Sequence, residues 1–258
     1  MRPTLTCHMI SSIDGRLLPD RWTPAAESGE PNLILSVYDE TAASIGGDGW
    51  IVGRATMADL LPPGRDDASA AMTRPDAPDI RALPRRAHVG ERGMRKLAIV
   101  LDPAGKLDYP SPRIGEEHLV VVLAERIDDR YLLRLRERGI SYVFAGGDGH
   151  DMHAALLSLR RDFNADSLML QGGGITNGIF LQHDLIDAIS LLVFPGIDGL
   201  SGVPSVFECP ATQPGLLPAL GRRLRLTDSE VRRGGIVWLR YTVERKAGNG
   251  HWGPRSAA

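Results

Sequence analysis

Leu168-Met169-Leu170-Gln171-Gly172-Gly173-Gly174-Ile175-Thr176-Asn177 is the stretch on which the reading of this 258-residue chain turns. A short apolar run ends in three glycines, and a helical pattern reaching about His183 begins at once. That order reads as a buried strand, a tight turn and a helix start. Glycines let a backbone approach a ligand closely, and the first amides of a helix point outward without acceptors. With the helix dipole they form a site suited to a phosphate or pyrophosphate. Thr176 and Asn177 add side-chain donors. The spacing is neither G-x-G-x-x-G nor the P-loop pattern, so neither of those nucleotide folds is indicated.

The same device occurs earlier at Ile51-Val52-Gly53-Arg54-Ala55-Thr56-Met57. Here Thr56 falls in the first helical turn, and the planar fork of Arg54 suits a phosphate monoester. Two strand-to-helix anion sites in one sheet say more than either alone, because a dinucleotide needs several phosphate contacts. A third segment, Met9-Ile10-Ser11-Ser12-Ile13-Asp14-Gly15-Arg16, leaves the first strand in a loop of hydroxyls, a carboxylate and a glycine. Asx-turn chemistry accounts for Asp14-Gly15 without any function. The loop nevertheless lies at the carboxyl end of a strand, where open α/β sheets place ligands.

Outward from these segments the chain alternates strands and helices. Strands are expected at 4–10, 50–53, 97–101, 119–123, 141–145, 167–171 and 188–194. Helices are expected at 32–45, from Arg54, at 128–138, 151–163 and up to His183. Two long strands near 222–232 and 235–245 meet across Arg233-Gly234-Gly235, a hairpin signal. Alternation implies parallel pairing, and the hairpin adds antiparallel edge strands. The expected fold is a three-layer α/β domain over 1–246, its mixed, mostly parallel sheet covered by helices on both faces. Residues 62–95, rich in Pro, Arg and Asp, read as a surface excursion, and 247–258 as a flexible tail.

Composition limits the function classes. The net charge is −2, against the basic excess of nucleic-acid modules. Of the 30 basic residues 27 are Arg, which fits a compositional bias of the source. The two cysteines form no CxxC, so a disulfide framework and a Cys-based zinc site are excluded. His150 and His153 flank Asp151-Met152, but Asp148 or Asp151 reads as a helix cap there, and no metal site is expected. No nucleophile elbow and no zinc-deaminase signature occur. With no signal sequence and no apolar run long enough to span a bilayer, the expectation is a cytoplasmic protein without membrane or nucleic-acid partners.

At these residues the sequence resembles the dihydrofolate-reductase superfamily. More closely it resembles the C-terminal reductase domain of the bifunctional riboflavin-biosynthesis deaminase/reductase and its stand-alone relatives. Ser12-Ile13-Asp14-Gly15-Arg16 resembles that family's S-L-D-G-[RK] segment. Val52-Gly53-Arg54-Ala55-Thr56 resembles its V-G-x-x-T segment. Gln171-Gly172-Gly173-Gly174-Ile175-Thr176-Asn177-Gly178, with Phe180-Leu181 and Leu185-Ile186-Asp187 after it, resembles its E-G-G-x-x-L-x-G…L…L-V-D-E stretch. The order of the three pieces is specific where each alone is not.

The resemblance implies a dihydrofolate-reductase-like fold, NADPH as hydride donor and a homodimer. It implies that Gly172, Gly173, Gly174, Ile175, Thr176 and Asn177 hold the cofactor pyrophosphate, with Gly53, Arg54 and Thr56 on the adenosine-phosphate side. The substrate it implies is a phosphoribosylamino-pyrimidine, whose ribosyl C1′ in the open-chain imine form takes the hydride and becomes ribityl. Ser12 and Gln171 are then substrate-side, and Asp14 is the candidate proton donor by position. Asp39 or Glu40, on the first long helix, lies in the region where dihydrofolate reductases carry an acid, but the plainer reading of the two is an exposed acidic pair on a helix face. The chain departs from the family at Gln171, where Glu is common. Asp59 stands three residues after Thr56 rather than four, and Ala188 replaces an acid after Asp187. Gln171 motivates a second reading, a reductase of another small molecule such as a dihydropterin. A non-catalytic dinucleotide-binding protein is the third.

Overall fold

The apolar runs fold as strands at nearly the expected positions in a computed structural model, which describes residues 1–26, 30–62, 83–210, 215, 217–246 and 252–254. Along the chain come β1 (Thr4–Ser11), α1 (Leu33–Ile45), β2 (Gly49–Gly53), α2 (Arg54–Leu60), β3 (Leu97–Leu101), β4 (Arg113–Ile114) and β5 (Glu117–Leu123). There follow α3 (Asp129–Glu137), β6 (Ser141–Phe144), α4 (Met152–Phe163), β7 (Ser167–Leu170), α5 (Gly174–Gln182) and β8 (Ala188–Val193). β9 (Arg222–Val231), β10 (Val237–Lys246) and β11 (Trp252–Gly253) close the order. The middle of the 62–95 excursion, 63–82, and most of the tail lie outside the described residues. Within the tail, Trp252 and Gly253 pair with Lys246 and Arg245 of β10.

The described residues form two compact units, one of 1–3 and 47–168, the other of 4–46 and 169–258. In the first, β2, β3, β5 and β6 run parallel in that order, with β4 antiparallel to β5. Every residue of β3 is buried and nearly every one of β5, as continuous Val/Leu/Ile runs require in a sheet covered on both faces. Val100, Val121, Leu132 and Tyr142 belong to this core. Asp128 caps α3 by accepting from the Arg130 amide at 2.7 Å, and Asp151 caps α4 by accepting from Ala154 at 2.9 Å. The expected helix cap near His150 is thus Asp151. No cluster of potential metal ligands occurs among the described residues.

In the second unit β1 runs parallel to β8, β8 antiparallel to β10, and β10 antiparallel to β9. The hairpin turn contains Gly234 at φ +67°, where an added Cβ would lie 2.3 Å from a Leu33 methyl. Trp22, Leu33, Val37, Leu192 and Trp238 pack together here. A buried polar chain crosses this core. Trp238 Nε1 donates to Ser190 Oγ at 2.7 Å, and His8 Nδ1 lies 2.9 Å from the same oxygen. His8 Nε2 faces the Tyr38 carbonyl at 3.3 Å, so it carries the proton and Nδ1 accepts from the serine hydroxyl. Burial pushes the His8 imidazole down to about 4, keeping it neutral.

Candidate active site

In the second unit the decisive turn has a separate reason for each glycine. Gly172 and Gly173 have φ of +116° and +70°, a region L-residues avoid. Gly174 opens α5, and a Cβ there would lie 2.1 Å from the Ser205 carbonyl oxygen. The Asn177 amide makes the first helical bond, to the Gly173 carbonyl, at 3.0 Å. The amides of Gly174, Ile175 and Thr176 therefore have no intrahelical acceptor. Ile175 is exposed, and Thr176 and Gln171 are half-buried.

Asn177 does not join them. Its side chain is fully buried and its amide nitrogen donates to the Val206 carbonyl at 2.8 Å. The expectation of a side-chain donor to the cofactor is corrected for this residue. Asn177 instead lashes the 203–209 segment to the helix. Glu208 assists, its amide donating to the Gly174 carbonyl at 2.9 Å. Gly178, one turn on, admits the Glu208 carbonyl so closely that a Cβ would sit 1.9 Å from it.

The same segment holds the loop after β1. Arg16 Nη1 donates to the Val203 carbonyl at 3.0 Å, and the Leu17 amide to Pro204 at 3.0 Å. Residues 12–17 and the start of α5, far apart in sequence, are thus bound to one strap. Sequence reasoning missed the strap. Its trace was the pair of small residues at i and i+4, Gly174 and Gly178.

Asp14 is the second correction. Its carboxylate accepts from Ser12 Oγ at 2.6 Å and from the amides of Asp198 at 3.1 Å and Gly199 at 2.8 Å. The Ser12 hydroxyl first, and then the Gly199 amide, hold it well below the usual carboxylate range. A carboxylate so held is ionised at neutral pH and a poor proton donor. Buried Ser12 also accepts from the Arg16 amide at 2.9 Å, so both residues shape the loop. On α1, Glu40 pairs with Arg233 at 2.6 Å, as an exposed helix acid does. Asp39 is exposed as well, and partial desolvation raises its pKa.

In the first unit β2 feeds α2 directly. Gly53 is the N-cap in extended conformation, Arg54 is exposed, and Thr56 is half-buried above the buried Met57. No side-chain hydrogen bond engages Arg54, Thr56, Gln171 or Thr176 among the described residues. At the end of β3 the buried Asp102 accepts from the amides of Lys106 at 3.0 Å and Leu107 at 2.9 Å. Burial raises its pKa against these bonds and the field of Arg54. Asp102-Pro103 is therefore a turn fixed from within.

Beside it lies Ala145-Gly146-Gly147-Asp148-Gly149, the exit from β6, with Gly146 at φ +74° and Gly149 at φ +84°. Gly149 sits where a Cβ would be 2.4 Å from the Pro103 Cβ. This second glycine run also went unread, although its G-G-D-G between a strand and a helix is the same signal as at 172–174. The carboxyl ends of β2, β3 and β6 thus present an exposed guanidinium, a hydroxyl and glycine-rich backbone.

A mixed, mostly parallel α/β sheet with an antiparallel C-terminal hairpin and glycine turns at its strand ends defines a dihydrofolate-reductase-like architecture. Residues 3–238 match the model of the RibD C-terminal domain, and the chain belongs to that family. A pyrimidine reductase-like protein from Corynebacterium diphtheriae is similar over 94% of this chain and 92% of its own, at 17% identity and a TM-score of 0.63. The riboflavin biosynthesis reductase Rib7 of Saccharomyces has a TM-score of 0.54 at 15% identity, covering 94% of this chain and 90% of its own. RibD of Acinetobacter baumannii has a TM-score of 0.56 at 19% identity, covering 94% of this chain, which spans only 58% of that protein. No curated protein sequence matches. Among the described residues no helix is long and apolar enough to cross a membrane.

Proposed function

We propose that the protein is an NADPH-dependent reductase of the riboflavin-biosynthesis type, converting the ribosyl group of a 5-phosphoribosylamino-pyrimidine to ribityl. The observation that carries this is the α5 start, three amides without acceptors behind two glycines of positive φ, in a chain of this family. The donor set fits a pyrophosphate, since unsatisfied amides at a positive helix end favour an anion. Gly172, Gly173 and the amides of Gly174, Ile175 and Thr176 would hold it, with the Thr176 hydroxyl beside them. Gly53, Arg54 and Thr56 would receive the adenosine end, Arg54 meeting the 2′-phosphate. The reduced nicotinamide supplies a hydride when bound.

The chain's own contribution is placement and proton supply. The strap at 203–209 holds the Ser12–Arg16 loop and the α5 start rigid, which matters because hydride transfer needs a near-attack approach of about 3–3.5 Å. Hydride addition to C1′ of the imine leaves a nitrogen that must gain one proton. That proton comes from solvent or from a side chain other than Asp14, whose carboxylate is taken up by Ser12 and the amides of Asp198 and Gly199. Gln171 is a neutral amide at the substrate side and supports the second reading, a reductase of a different imine or pterin. The resemblance also carries a homodimer and a cytoplasmic location into this reading.

Two measurements test it. A substrate panel followed by NADPH absorbance should show turnover of the ribosylamino-pyrimidine phosphate. An inert pyrimidine beside a turned-over dihydropterin would replace the first reading by the second, and binding without any acceptor would leave a dinucleotide-binding protein. Arg54→Ala should weaken NADPH by at least about tenfold, the worth of one charge-assisted phosphate contact, and NADH hardly at all. Equal losses would remove Arg54 from the 2′-phosphate.

A further inference from the structure

β9 is an edge strand of a kind that single chains avoid. It runs ten residues, roughly 34 Å at about 3.4 Å per residue. It pairs with β10 on one side and with no strand among the described residues on the other. Nine of its residues are exposed, with Leu224, Leu226 and Val231 at 51%, 53% and 72%. A long open edge with apolar side chains is a template for pairing with another chain.

Its charges say which chain. From the N-terminus β9 reads Arg222, Arg223, Leu224, Arg225, Leu226, Thr227, Asp228, Ser229, Glu230, Val231. Turned end for end against itself about the Leu226–Thr227 bond, it sets Arg225 opposite Asp228, Arg223 opposite Glu230 and Leu224 opposite Ser229. In a regular strand this register fails. Residues an odd number apart point to opposite faces, and directly opposed residues in an antiparallel pair must share one.

The bulge removes the obstacle. Tyr241 faces Leu226 but Arg240 faces Asp228, so Thr227 is an extra residue that shifts the alternation by one. Arg223, Arg225, Asp228 and Glu230 then share the face of Glu244, Thr242, Arg240 and Trp238. Leu224, Leu226, Ser229 and Val231 share the face of Val243, Tyr241, Leu239 and Val237.

From these relations we infer that β9 is a self-complementary seam at which a second copy of this chain adds its own β9 antiparallel, joining two sheets. Room for the new ion pairs exists. Arg223 and Arg225 share the single carboxylate of Glu244 and remain 55% exposed. Asp228 and Glu230, paired within the chain to Arg240 and Arg232, are still 52% and 47% exposed. Across the seam Arg225 meets the partner's Asp228, and Arg223 the partner's Glu230. On the other face the Leu224, Leu226 and Tyr241 strips of both copies become continuous. This inference rests on the proposed homodimer and names the surface through which it forms.

The test uses the full chain in analytical ultracentrifugation. Arg223→Glu/Arg225→Glu makes the charged face at 223, 225, 228 and 230 acidic throughout, and Asp228→Arg/Glu230→Arg makes it basic throughout. Each should sediment as a monomer, and an equimolar mixture should form a heterodimer. Asp228→Asn/Glu230→Gln, which leaves the Glu244 cluster untouched, should raise the dimer dissociation constant at least about tenfold. Circular dichroism and melting confirm that each variant folds. A wild-type chain that is monomeric at tens of micromolar would overturn both the seam and the homodimer. A dimer whose mass and dissociation constant ignore all three variants would overturn the seam alone. A mixture of folded acidic and basic chains that stays monomeric would also sink it.

Discussion

Gly178→Ala separates two opposed effects on α5. Helix propensity alone favours alanine over glycine by about 1 kcal/mol in a helix interior. The tertiary structure predicts the reverse sign. The new Cβ would lie 1.9 Å from the Glu208 carbonyl oxygen and 2.5 Å from its carbon. Both are backbone atoms, so no rotamer change relieves the clash, and the strap must lift. Overpacking of that kind costs about 1–3 kcal/mol. Lifting the strap also stretches the Glu208–Gly174 and Asn177–Val206 hydrogen bonds, each worth about 1 kcal/mol. After subtracting the propensity gain, the net loss is about 2–4 kcal/mol. At roughly 2–4 °C per kcal/mol for a chain of this size, Tm should fall by about 4–16 °C. Urea unfolding with an unchanged slope would confirm that stability alone moved. A variant as stable as wild type, or more so, would refute the argument that these glycines exist to admit the 203–209 segment.

Two pH effects arise from titrating groups, and two further predictions concern Asn177 and Gly173. His8 has a folded value near 4 against an ordinary 6.5, so the unfolded chain binds its proton first as pH falls. Stability should therefore decline from pH 6.5 to about 4, by up to about 3 kcal/mol, and His8→Gln should flatten that slope in unfolding titrations. Asp14 is depressed, so its contribution is present above the unfolded value of about 4 and fades as pH falls through the folded one. Asp14→Asn should lose stability at pH 7, with the gap to wild type closing in acid, while retaining turnover; abolished turnover in a folded Asp14→Asn would restore Asp14 as an acid. Asn177→Leu should destabilise by about 1–3 kcal/mol through the orphaned Val206 carbonyl, read by chemical unfolding. Gly173→Ala, at φ +70° and ψ 145°, should cost roughly 1–3 kcal/mol of backbone strain and weaken NADPH binding in calorimetry; unchanged binding would remove the turn from the cofactor site.

The sequence alone determined the alternation of elements, most boundaries to within a residue or two, the hairpin and the glycine turn before α5. Those features are local: apolar period, cap residues and positive-φ glycines act over a few neighbours, and a linear reading samples that range. The tertiary structure decided what each polar residue does with its neighbours. Asn177 looked like a free donor at a helix start and is spent on Val206, 29 residues away. Asp14 looked like an acid and is a clamp for amides 184 and 185 residues distant. The Thr227 bulge, which gives β9 its two faces, is visible only against β10. Hydrogen-bond valence and steric space are used up by whichever chain segment arrives, and which segment arrives is set by packing, not by spacing along the chain.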